Sequence, residues 1–238
     1  MPLCFRGRSM LHFWKNSTLL EEVRRNQEAG RHFPAAAPPG CRLGILPSAF
    51  NPITIAHMEL ARRAILQYRL DEVLLTLPRA FPHKGYIGPT FEERIEMLLA
   101  AAADEPRFSA GSTDGGLFIE IVRECREVYG RTAEFFIICG RDAAERAIAW
   151  DYARQAPAAG PFAEQIKEFQ MLVAPRGGPW TVPPEYAGRI HLIAWPPELD
   201  LCSSSAIRAA IAQGRPWEHL VPPPVAAIIR RRSLYSNT

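Results

Sequence analysis

The stretch "RLGILPSAFNPITIAHMELARRAILQY", residues 42–68, changes its apolar period part-way along. Its opening, "RLGILPS" (42–48), is an apolar run of strand length. Ser48, Ala49, Asn51 and Pro52 then make a turn of small and turn-forming residues, and from 53 to 68 the apolar residues recur at helical spacing. A buried strand leading through a tight turn into an amphipathic helix is the first half of a βαβ unit.

The same alternation continues along the chain. Further apolar runs predict strands at 72–78, 107–112, 134–140, 171–175 and 189–195, and helical spacing recurs at 91–103, 116–129 and 142–150, with a less regular stretch at 162–169. This order predicts a Rossmann-like α/β fold, a doubly wound, mainly parallel sheet with helices on both faces and right-handed crossovers. Ligands in such sheets bind beyond the carboxyl ends of the strands, where the strand order reverses.

Residues 1–40 read as an N-terminal extension and linker. A helical pattern over 17–33 opens on a Thr18-x-x-Glu21 capping box and is followed by "PAAAPPG". Arg6 and Arg8 precede no sustained apolar core, so no signal peptide is expected. No stretch approaches the roughly 20 apolar residues that a membrane helix needs.

A chain of 238 residues, 47% hydrophobic and 22% charged, can bury its own core without disulfides or a cofactor. Its five cysteines, Cys4, Cys41, Cys125, Cys139 and Cys202, are scattered and build no metal-ligand spacing, which points to reduced thiols in a cytoplasm. The formal charge of +3 rests on arginine, with lysine only at 15, 84 and 167. So small an excess argues against nucleic acid as a partner and leaves room for a local phosphate pocket.

Four stretches fall at strand ends and carry chemistry. In "SAFNPITIAH" (48–57) small residues permit close approach to a ligand, and His57 sits on the first turn of a helix whose unpaired amides face the same point. By itself such a histidine reads better as a surface or helix-capping residue. "PHK" (82–84) offers Lys84 as a mobile cation for phosphate. In "FIICGRDAAERAIAW" (136–150) Gly140 allows close backbone approach, Asp142 begins a helix and can accept hydrogen bonds from a ribose or hold a metal-bound water, and Trp150 offers a ring for stacking. "CSSSAIR" (202–208) places Ser203, Ser204, Ser205 and Arg208 around a helix start, the composition of an anion site.

Taken in order, these stretches resemble the nucleotidyltransferases that bind ATP through T/H-x-G-H and S-S-T-x-I-R motifs. More narrowly, residues 42–235 are similar to the bacterial nicotinate-nucleotide adenylyltransferase family. The resemblance implies a nucleotidyltransferase domain over 41–238 that moves AMP from ATP to a pyridine mononucleotide, nicotinate mononucleotide by preference, with release of pyrophosphate in NAD biosynthesis. It implies ATP contacts from Ser48, Ala49, Phe50, Thr54, His57, Gly140, Asp142, Ser204, Ser205, Ile207 and Arg208, and acceptor contacts from Asn51, Lys84 and Trp150. His57, Lys84 and Arg208 take the catalytic roles, with Mg²⁺ arriving with ATP and no metal ligated by the protein alone. ATP and a mononucleotide are the implied partners, and a homo-oligomer is compatible with all of this. The chain departs from the family pattern at Ala56, where the motif carries glycine, at Leu46-Pro47, and at Phe118, where threonine is expected. Transfer to another phosphorylated acceptor, such as phosphopantetheine, and nucleotide binding without catalysis are the alternative readings.

Overall fold

The run at 42–47 hydrogen-bonds to a parallel neighbour on each side, and that double pairing organises the molecule. The computed structural model describes residues 12–15, 40–79 and 88–236. Its strands are β1 (His12–Lys15), β2 (Arg42–Pro47), β3 (Glu72–Pro78), β4 (Phe108–Thr113), β5 (Glu134–Gly140), β6 (Gln170–Ala174) and β7 (Ile190–Leu192). The helices are α1 (Ile55–Tyr68), α2 (Phe91–Ala102), α3 (Phe118–Tyr129), α4 (Arg141–Ala149), the short α5 (Tyr152–Gln155) and α6 (Phe162–Gln165), then α7 (Ser204–Ala212) and α8 (Pro223–Arg231).

The sheet order is β1-β4-β3-β2-β5-β6-β7. The chain winds from β2 outward to β4, then returns to β5 on the other flank of β2, so the reversal of order lies between β2 and β5. Strands β2 to β7 are parallel, in register at Leu46↔Leu75 and Ile45↔Ile137. Both faces of the sheet are covered. Along β5, Phe136 and Ile138 enter the core beneath α1, α2, α7 and α8, while Phe135, Ile137 and Cys139 enter the core beneath α3 and the 144–169 segment. Strands buried on both sides favour apolar residues on both faces, which is why β2, β5 and β6 read as nearly unbroken apolar runs, while β4 buries Ser109, Ser112 and Thr113 as well.

Part of the expected extension joins the sheet. β1 pairs antiparallel with β4, His12 opposite Ser112, so four residues of that segment form an edge strand. The helical pattern expected over 17–33 and the loop carrying Lys84 lie outside the described residues. Among the described residues, no helix is long and apolar enough to cross a membrane, and the four described cysteines are buried with no disulfide.

Candidate active site

Helix α1 begins two residues later than its apolar spacing predicts, because Thr54 is extended and serves as its N-cap. The cap is reciprocal. The His57 N–H donates to the Thr54 hydroxyl at 3.3 Å, and the Thr54 N–H donates to His57 Nδ1 at 3.1 Å. An N–H can only donate, so Nδ1 is the acceptor and the proton of the neutral ring sits on Nε2. Nε2 lies 3.4 Å from Ser48 Oγ in the pocket wall. The cap engages one ring nitrogen of His57 and leaves the other on the side of Ser48.

The turn before this helix is tied down from several sides. The Ser48 N–H donates to Thr76 O at 3.1 Å, and Arg94 Nη1 donates to Ala49 O at 3.3 Å. Arg208 Nη1 donates to Asn51 O at 2.6 Å, Ser204 Oγ to Pro52 O at 2.8 Å, and the Tyr235 hydroxyl to Asn51 Oδ1 at 2.9 Å. The start of α7 is thereby bolted to the start of α1, and the two helix N-termini open on one cavity of about 690 Å³. That volume is within the range of small-molecule sites. Ser203 is spent as the cap of α7, accepting from the Ala206 N–H at 3.1 Å.

The cavity lies over the reversal of strand order and has two unlike walls. The turn before α1, α1 itself and α7 supply the polar Ser48, Asn51, His57, Ser204, Ser205 and Arg208, with Ala49, Ala56 and Leu60 beside them. From α3, α4, α5 and their caps come the apolar or aromatic Leu117, Phe118, Ala147, Trp150 and Tyr152, with Asp142 and Arg146 as the charged groups on α4. Its lining arginines are Arg146, Arg176 and Arg208, and none of them forms an ion pair among the described residues. Asp142 is the only lining carboxylate among them. Burial, and then the charge of Arg176, push the His57 pKa down to about 4, so its ring is neutral in the free protein near pH 7.

That shift predicts a pH dependence. The folded pKa lies below the ordinary value of 6.5, so the unfolded chain binds more protons between about pH 6.5 and 4. Wild type therefore loses stability over that window as pH falls, and His57→Gln loses less. Urea midpoints for both proteins at pH 7.0, 5.5 and 4.5 check it; equal losses would remove the assignment.

Most of the expected contact residues meet in this one cavity: Ser48, Ala49, Asn51, Thr54, His57, Gly140, Asp142, Trp150, Ser204, Ser205 and Arg208 all line it. Two do not. Phe50 is fully buried, its ring edge-on to the His57 ring at 5.2 Å, and Ile207 is fully buried in the core beneath α7. Both belong to the core beneath the cavity-lining residues. Thr54 also works from beneath, its hydroxyl taken up by the cap.

Comparison with known proteins places this geometry. The model of the cytidylyltransferase-like family matches residues 45–210. The chain belongs to that family. A probable nicotinate-nucleotide adenylyltransferase of Thermus thermophilus is 30% identical over 200 residues, covering 82% of this chain and 99% of that protein. One from Geobacter metallireducens is 32% identical over 217 residues, covering 82% and 99%. Among solved structures, the nicotinic acid mononucleotide adenylyltransferase of Plasmodium falciparum complexed with NaAD superposes with a TM-score of 0.63 at 14% identity, covering 83% of this chain and 98% of that one, a likeness of fold.

In this cytidylyltransferase-like site the structure adds lining residues that the motifs did not single out. Arg176 follows β6 and donates through Nη2 to Asp200 O at 2.8 Å and Cys202 O at 3.1 Å. Trp195 follows β7, with its Nε1 donating to Asp200 Oδ1 at 2.8 Å. Arg146 sits one turn beyond Asp142 and one turn before Trp150. Each was findable: the first two stand just past a strand's carboxyl end, and the spacing 142, 146, 150 marks one helix face.

Proposed function

We propose that this chain is a nicotinate-nucleotide adenylyltransferase, which transfers AMP from ATP to nicotinate mononucleotide. The observation that carries the reading is the two-walled cavity itself, in a chain of this family that aligns along nearly the full length of nicotinate-nucleotide adenylyltransferases. The polar wall suits a triphosphate and the aromatic wall a flat pyridine ring.

An oxygen of the acceptor's phosphate attacks the α-phosphorus of ATP in line. The new O–Pα bond forms as the bond from Pα to the β-phosphate oxygen breaks, and its electrons leave with pyrophosphate. The nucleophile is already an anion at neutral pH, so no side chain need remove a proton. The protein's task is to hold two polyanions together and to stabilise charge that grows on the oxygens around Pα and on the leaving group. His57 Nε2–H does this as a neutral donor aimed by its cap. Arg208 keeps donors to spare after its bonds to Asn51 O and Ser205 Oγ, since a guanidinium carries five N–H groups. The amides at the starts of α1 and α7 face the same phosphates. Lys84 is the further cation of this reading.

A divalent metal accompanies ATP in this reading. Among the described residues no group of three His, Cys, Asp or Glu could hold one. Asp142, the lining carboxylate, would orient a water of Mg²⁺ that arrives on the triphosphate. When bound, it neutralises charge on the departing pyrophosphate.

The test is pyrophosphate release by the full chain with ATP, Mg²⁺ and nicotinate mononucleotide, alongside nicotinamide mononucleotide and phosphopantetheine. Release with nicotinate mononucleotide, with formation of the dinucleotide, is expected. ATP binding without release from either pyridine mononucleotide would overturn the reading.

A further inference from the structure

We propose that Arg146 is the residue by which this site selects an acceptor bearing a ring carboxylate over one bearing a carboxamide. The inference rests on the adenylyl-transfer reading above and concerns the aromatic wall. A pyridine ring placed against Leu117, Phe118, Trp150 and Tyr152 has the start of α3 on one side and the cavity-lining face of α4 on the other, and a carboxylate on it needs a cation or free amides. On the α3 side the protein's own carboxylates stand close by. Glu120 Oε2 accepts from the Gly116 and Leu117 N–H groups at 3.0 Å each, and the Glu124 carboxylate accepts from Asp114 and Gly115 at 3.0 and 2.8 Å. Two carboxylates of the protein already occupy that turn, and a third would be repelled.

The cations lining the cavity differ in what they have left to offer. Arg208 and Arg176 are bonded to loop carbonyls, on the phosphate wall and beyond β6. Arg141, one turn earlier on α4 but outside the lining, is engaged by Glu145 at 2.8 Å. Arg146 lies on the lining face of α4 with Asp142, Ala143, Ala147 and Trp150, is exposed, and makes neither an ion pair nor a hydrogen bond among the described residues, even with Asp142 one turn away. It is an uncommitted guanidinium on the helix that carries the stacking ring, and a planar fork of donors matches a carboxylate in two parallel bonds. A carboxamide offers that fork one acceptor and no charge.

The experiment measures kcat and KM of the full chain for nicotinate and nicotinamide mononucleotides, in wild type, Arg146→Ala and Arg146→Lys. The ratio of kcat/KM for the acid over the amide is expected to fall about tenfold or more in Arg146→Ala, with the loss in KM for the acid, and to recover in part in Arg146→Lys. An unchanged ratio, or an equal loss with both acceptors, would overturn the role of Arg146. A wild type inactive with both would instead remove the adenylyl-transfer reading. The exposed, unbonded position of Arg146 predicts variants that melt with wild type, and melting curves separate a folding defect from a specificity change.

Discussion

His57→Ala is expected to lower turnover by about a hundredfold or more, the loss typical of removing one well-aimed donor from a preorganised anion site. The ring is aimed by the cap: Nδ1 is occupied by the Thr54 N–H, so Nε2–H alone faces the cavity, and Phe50 beneath it fixes the ring plane. Losing the ring also leaves the Thr54 N–H without its acceptor, at about 1 kcal/mol of stability. His57→Gln separates the two losses. Glutamine at the third helical position completes the same reciprocal cap, so stability should return towards wild type while turnover stays low, because the amide is spent on the cap. Pyrophosphate release and urea midpoints measured on the same preparations read both quantities. A folded His57→Ala protein of normal activity would sink the assignment of His57 to phosphate.

The surroundings of His57, at once a helix cap and a lining residue of the cavity, show what the sequence could disclose and what it could not. The fold was legible because strands buried on both faces are mostly apolar along their length and the connecting helices are not; β3 and β5 begin and end where the sequence predicts. The site was legible in outline because a doubly wound sheet gathers its strand ends at the reversal of order. Motif reading failed where it treated consecutive residues as equals. A helix turns about 100° per residue, so Arg208 faces the cavity while Ile207, its neighbour, faces the core. The same geometry hid Arg146, whose relation to Asp142 and Trp150 appears only when every fourth residue is compared. β1 left no signal in four residues, since an edge strand is decided by the partner it finds in β4. β7 is shorter than its apolar run, because Trp195 leaves the sheet to bond Asp200.

Arg208→Ala should cost about a hundred- to a thousandfold in kcat/KM, the most severe of the accessible changes, because the guanidinium does two things at once. It supplies positive charge at the start of α7, and through Nη1 it holds the carbonyl of Asn51, in the turn that positions His57. Truncation leaves that carbonyl without this donor, at about 1–3 kcal/mol of stability if water does not replace it. Arg208→Lys keeps the charge but is a point donor on a flexible stem, unable to reach Asn51 O, Ser205 Oγ and a phosphate together, so it should recover only a small part of the activity. The two contributions part in their dependence on pyrophosphate. If Arg208 binds the departing phosphates, product inhibition by pyrophosphate weakens in Arg208→Ala roughly in step with the lost activity. If it is only a tie for the turn, the inhibition constant of the folded fraction stays at the wild-type value and the loss follows the melting curve.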